Sequence, residues 1–291
     1  MTSAHRQILW ITVAAVAAFF GLRSLPDTQC AFLHADHQPV VSQGVAFCGV
    51  NEEANFYSPQ ALRFPVKLEL DFAADRMGGS LRLLGEDGRP IPAYAIAVSH
   101  TQKVHLHLRQ VTGRKGYVHL HPTPQDDGAW RFQLPAWFAQ GNPGGRFHAY
   151  VDFVTLRSAQ VQLAETTADL DVLHMPTSAL KPRNVVQTAT VSTTQAGKSA
   201  LVRVSLAAPA GSPPLRLKPL MGSLGHAVLF GDPQRQPGYA HMHPSLEGGE
   251  FEPNPTLSFR LRLPPPGKYD LWVNIDDGAE DYLLVPLEVT P

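Results

Sequence analysis

Two strings of the form Tyr-x-His-x-His-Pro carry the residues best suited to chemistry in this chain. They are Tyr117-Val118-His119-Leu120-His121-Pro122 and Tyr239-Ala240-His241-Met242-His243-Pro244. A further histidine precedes each, His105 at 14 residues before His119 and His226 at 15 before His241. Six of the 13 histidines thus fall at repeated positions. Neutral imidazole binds zinc and copper, and a pKa near 6.5 makes it available at pH 7. Three imidazoles that converge can hold such an ion at N–metal distances of ~2.0–2.1 Å and leave one position open. The expected metal ligands are therefore His105, His119 and His121 in one copy, and His226, His241 and His243 in the other. The plainer alternative is a strand terminator, in which the imidazoles bond to loop backbone and Pro122 and Pro244 end the ladder.

Strands must position these side chains. Val104–Leu108 alternates, with Val104, Leu106 and Leu108 on one face and His105 and His107 on the other. A hairpin centred on Gly113 sets His105 opposite His121 and His107 opposite His119. Opposed residues have Cβ atoms ~4.5–5.5 Å apart, and i, i+2 neighbours lie ~7 Å apart, so one face gathers all four rings. The same construction sets His226 opposite His243, with Val228 in the place of His107. Met242 alternates to the other face and Met221 precedes His226; both are read as core. Each string is followed by a Gly-x-aromatic stretch, Gly145-Arg146-Phe147 or Gly267-Lys268-Tyr269, leading into a strand with Asp152 or Asp276. Duplication of the whole pattern indicates a tandem repeat.

The chain has 291 residues, 44% hydrophobic and 17% charged, with 26 prolines and 23 glycines. Short alternating runs rich in Val, Leu and Phe predict an all-β protein of two tandem Ig-like β-sandwich domains after an N-terminal hydrophobic helix. The first repeat is read over 61–173 and the second over 199–291. A polar linker is read at 174–198, of which Thr188–Ser192 could already be a strand of the second repeat. Short separate strands are expected at Gln160–Leu163 and Asp169–Leu173. A net charge of −1 with no basic block gives no electrostatic footprint for nucleic acid.

Ile8–Leu22 is an apolar run broken only by Thr12 and Gly21. Residues 1–23 are read as a signal-anchor or signal-peptide helix, with 8–22 in the membrane and no small-x-small cleavage site after it. The rest of the chain is placed outside the cytoplasm, anchored at the inner membrane and facing the periplasm or the cell exterior. A loop-rich segment, 24–60, holds Cys30 and Cys48. In an exported protein these two most simply form a disulfide. A Cys/His zinc site with His34 and His37 is the alternative, but its spacing matches no standard arrangement.

Several strings resemble a group of bacterial exported proteins built from tandem β-domains. They are Lys103-Val104-His105-Leu106 with His119–Pro122, then Leu220–His226, His241–Pro244 and Pro266–Tyr269. The resemblance covers about residues 60–290 and implies membership of a largely uncharacterised group, some of whose members are linked to copper and heavy-metal handling. Partial matches to cupin metalloenzyme motifs give a second reading. There His119, His121, Asp126 and His148 would hold a catalytic metal in a bicupin, leaving His105 and His226 without a role. A third reading is a metal-free module that meets a protein partner in the envelope through its loops. No Ser/His/Asp nucleophile motif, phosphate loop or dinucleotide fingerprint is present. The sequence therefore favours a non-enzymatic, membrane-tethered protein that binds copper or zinc.

Overall fold

The computed structural model describes residues 3–23, 40–42, 45–47, 54–57, 66–111 save 76 and 100, 116–141, 145–157, 161–170, and 185–291 save 221, 248–251 and 279. Helix α1 (Ser3–Arg23) is long and apolar enough to cross a membrane. It belongs to a unit of its own, residues 1–33, and the remainder of the chain forms a second unit. In that second unit, β1 (Val40–Ser42) and β2 (Val45–Phe47) pair as a small antiparallel hairpin.

Four larger sheets follow. In chain order the strands are β3 (Lys67–Phe72), β4 (Gly78–Leu84), β5 (Ile96–Ala97), β6 (Val104–Gln110), β7 (Tyr117–Leu120), β8 (Thr123–Pro124) and β9 (Trp130–Gln133). Helix α2 (Ala136–Gly141) precedes β10 (Gly145–Thr155) and β11 (Val161–Leu170). The second series is β12 (Val186–Val191), β13 (Ser199–Ala207), β14 (His226–Phe230), β15 (Tyr239–Met242), β16 (Ser245–Glu247), β17 (Thr256–Arg262), β18 (Gly267–Asp276) and β19 (Glu280–Val289). The first series builds one sheet of order β3-β4-β9-β8 and another of order β11-β10-β6-β7, with β5 added on β10. The second builds β12-β13-β17-β16 and β19-β18-β14-β15. Strand for strand the two orders are the same, so each half of the chain is an antiparallel β-sandwich of one topology.

Each sandwich has its own core. Leu81, Leu83, Leu106, Leu108, Trp130 and Phe147 are among the buried residues of the first. Val202, Val204, Leu229, Phe259, Leu271 and Ile275 are among those of the second. The outer sheets alternate between buried and solvated positions, as in β13 and β9, because one face meets water. Three strands of the inner sheets do not alternate: β7 and β14 are buried at every position, and β6 at all but one. A strand buried on both faces must be covered on both. Here each inner sheet is covered by the other. A third apolar cluster fills this seam, with Tyr117, Tyr150 and Leu163 from the first sandwich against Val228, Phe230, Tyr239 and Trp272 from the second. Each such fully buried side chain contributes on the order of 1.5–3 kcal/mol of transfer free energy.

Two elements depart from the sequence reading. The described parts of the runs expected at Gln160–Leu163 and Asp169–Leu173, residues 161–163 and 169–170, belong to one continuous strand, β11, because β10 pairs with it residue by residue from Gly145↔Leu170 to Val154↔Val161. The threonines between them suit a strand, and the ladder carries the polar middle. Helix α2 was not expected. It starts after Pro135, whose carbonyl accepts the Phe138 N–H at 2.9 Å, and it delivers Phe138 into the first core. Strand β12 covers most of the Thr188–Ser192 run allowed as a strand within the linker span, and it pairs with β13 along its whole length. From the loop-rich segment, Ala54 bridges to Leu261 and Tyr57 to Tyr239, so part of it adds to the second sandwich. Cys30 and Cys48, and with them His34 and His37, lie outside the described residues, as do Gly113 and Met221.

Candidate metal centre at the seam

The register of β6 and β7 sets His107 opposite His119, and its continuation sets His105 opposite His121. In the second sandwich Ala227 pairs with Met242 and Val228 with His241, which carries His226 to His243. The inward-facing residues of these strands, Leu106, Leu108, Ala227 and Met242, enter the two cores. The histidines stand on the opposite faces, and those faces form the seam.

The structure gathers both sets of predicted residues. His105, His119 and His121 each offer a ligand nitrogen within 4.8 Å of the others, and so do His226, His241 and His243. The trios also meet each other. Ring centroids lie 5.2 Å apart for His119 and His241, 5.5 Å for His105 and His241, and 5.7 Å for His119 and His226. His105 and His226 are each 1% exposed, and His119 is 4% exposed.

Hydrogen bonds assign the nitrogens. His105 Nε2 lies 3.0 Å from the Ser99 carbonyl, which can only accept, so this nitrogen carries the proton. His105 Nδ1 is then a lone pair, and it accepts from His119 Nε2 at 3.2 Å. That leaves His119 Nδ1 as a buried lone pair with no hydrogen-bond partner among the described residues, and His121 Nε2 is in the same position. An ion entering between His105 Nδ1 and His119 Nε2 would shift one proton within the His119 ring, and the carbonyl behind His105 already fixes the ligating tautomer.

His107 is engaged otherwise. Its Nε2 donates to Asp152 Oδ2 at 3.0 Å and its Nδ1 accepts from the Tyr117 hydroxyl at 2.9 Å. Asp152 pairs with His105 across β10 and β6. It also accepts from the Tyr239 hydroxyl at 3.3 Å and stands 3.4 Å from His241 Nδ1. The residue at its place in the second sandwich is Asn274, paired with His226, and not Asp276. Asn274 gives its amide to Glu280 Oε1 and the Asp281 carbonyl, both at 3.1 Å.

Sequence reading put His107 on the histidine face but gave no role to Asp152, Tyr117 or Tyr239. A tyrosine opens both strings, and Asp152 falls in the duplicated pattern, but its role comes from pairing across the sheet and could not be read from the chain. The cupin set is not assembled: among the described residues no group able to hold a metal contains Asp126 or His148. His148 Nε2 instead lies 3.0 Å from Glu165, and Asp126 is exposed.

Burial disfavours charge on these rings. It pushes His107 down to about 4 and His121 to about 3, and it lowers His105 and His119 as well. Burial alone would raise Asp152, but the neighbouring imidazoles, His241 first, reverse this and hold the carboxyl well below its usual range. At pH 7 the first trio is thus a set of neutral donors beside one carboxylate. A stability dependence follows for the metal-free protein. Unfolded, His107 and His121 take up protons near pH 6.5; folded, they do so only near 4 and 3. Between these limits the unfolded chain binds more protons, so stability falls as the pH falls, by up to about 1.4 kcal/mol per pH unit for each imidazole. Thermal unfolding of chelator-treated protein should show a midpoint dropping steadily from pH 7 to pH 5. A flat midpoint would mean that the rings are solvated.

The family model described as a domain of unknown function (DUF8832) matches residues 183–290, the second sandwich. No curated protein matches the chain. Among solved structures, a tetra-tandem repeat from the extending region of a large adhesion protein is 11% identical with a TM-score of 0.25, covering 78% of this chain and 50% of that one. The Escherichia coli adhesin FdeC is 13% identical with a TM-score of 0.25, covering 81% and 66%. The Yersinia pseudotuberculosis adhesin InvE is 12% identical with a TM-score of 0.21, covering 78% and 59%. The chain spans about half the length of the first of these structures. Likeness at this level carries nothing about the activity of this chain.

Proposed function

We propose that this is an extracytoplasmic metal-binding protein that holds copper or zinc through His105, His119 and His121 and through His226, His241 and His243. The observation that carries the reading is the pair of trios on equivalent strands, each with its ligand nitrogens within 4.8 Å. The burial of His105 and His119 and the lowering of all three first-trio imidazoles, which keeps them neutral at pH 7, support it. The donors are imidazole nitrogens, which suit copper and zinc. Met242, the nearest soft candidate by sequence, lies in the core of the second sandwich. The N-terminal apolar helix fits a membrane tether with the sandwiches outside the cytoplasm.

The test is calorimetric titration of the full-length protein in detergent with Cu²⁺ and Zn²⁺, beside a His119→Ala/His121→Ala variant. Loss of two first ligands should weaken binding by about 100-fold or more, since outer ligands alone are worth ~10–100-fold. Equal binding by the two proteins would end the reading.

A further inference from the structure

The two trios differ in one respect that separate sites would not explain. A buried divalent ion among neutral imidazoles needs a nearby anion, because an uncompensated charge away from water is costly. The first sandwich supplies Asp152 beside His105. The second supplies at the same place Asn274, which is neutral and turned to Glu280 and the Asp281 carbonyl. The second trio is not without a carboxylate, however. Asp152 reaches across the seam, and His105, Asp152 and His241 form a group with ligand atoms within 4.8 Å. Asp152 Oδ2 stands 3.4 Å from His241 Nδ1. It is aimed there by donors from both sandwiches, His107 at 3.0 Å and Tyr239 at 3.3 Å.

We propose that the two trios are halves of one binuclear centre for divalent copper or zinc, with the Asp152 carboxylate as the ligand they share across the seam. This rests on the metal-binding reading above. One carboxylate serves two ions, so the duplicated repeat needs only one acidic residue at this position. His107 and Tyr239 are positioning residues: they hold the carboxylate between the trios. The ion of the second trio draws ligands from both sandwiches, His226, His241 and His243 from one and Asp152 from the other, so loading clasps the two domains together.

The coupling is read on full-length protein. At two equivalents of Cu²⁺, electron paramagnetic resonance should integrate to well under two spins per chain, with a half-field line from the coupled pair. This measurement needs no variant. His241→Ala, which removes a ligand of the second trio, should also weaken the ion at the first trio by at least about 10-fold, as should Asp152→Asn. Two ions with full, uncoupled intensity and an unaltered first site in His241→Ala would overturn the shared centre and leave two separate trios standing. Binding of a single ion would overturn it as well. Absence of any binding by the wild-type protein would instead remove the metal-binding reading itself.

Discussion

Asp152→Ala is expected to destabilise the metal-free protein by about 3–5 kcal/mol. The carboxylate accepts from His107 Nε2 and the Tyr239 hydroxyl and lies beside His241 Nδ1. Alanine would leave these groups without their acceptor in a largely buried seam. Each buried donor left unmade costs about 1–3 kcal/mol, and the small cavity adds to that. His107 is 0% exposed, so it has no route to solvent short of opening the seam. In thermal unfolding the midpoint should fall by about 10 °C, at the ~2–4 °C per kcal/mol usual for chains of this size. Asp152→Asn keeps one acceptor oxygen and should lose less. An unchanged midpoint in Asp152→Ala would show that the carboxylate is not held by these donors.

Arg109→Ala should cost a similar amount for a different reason. Arg109 leaves β6 on the seam face and meets Asp270 of β18 at 2.7 Å, with the Gly231 carbonyl as a second acceptor. Its guanidinium also lies 5.4 Å from the centre of the Phe230 ring. The two side chains are only 13% and 11% exposed. Removing one partner of such a pair leaves a desolvated charge, at a cost of about 3–5 kcal/mol. Removing both is far cheaper, so the Arg109→Ala and Asp270→Ala effects should be strongly non-additive in a double-mutant cycle. The pair Arg146–Asp169 is a built-in control, since its side chains are 57% and 60% exposed. Breaking it should change stability by less than about 1 kcal/mol. If the Arg109 and Asp270 variants behaved like that control, the seam would be wetter and looser than the structure shows.

Much of this arrangement is legible in the chain itself. Strict alternation in Val104–Leu108 separates core from seam, because a strand turns successive side chains to opposite faces. Chain spacing across the turn then sets His107 opposite His119, since a slip by one residue would reverse every side chain of the partner strand. Matching spacing in the second copy gives the second trio. The apolar run of α1 and the all-β character follow from composition and period alone.

Alternation, however, states only which residues share a face, not what covers it. His105, His119, His226 and His241 read the same whether their face meets water or another sheet. Only the packed structure closes one repeat on the other and makes two histidine faces into one buried array. The role of Asp152 was unreadable for the same reason: its neighbours His107, Tyr239 and His241 lie 45, 87 and 89 residues away along the chain. The continuity of β11 likewise depends on the length of β10 beside it, and the helix at Ala136–Gly141 on a space that Phe138 fills. Local sequence thus determined the strands, their register and the membership of each trio. Tertiary packing decided burial, the carboxylate and the meeting of the two trios, because those depend on which surfaces lose contact with water when the two sandwiches close on each other.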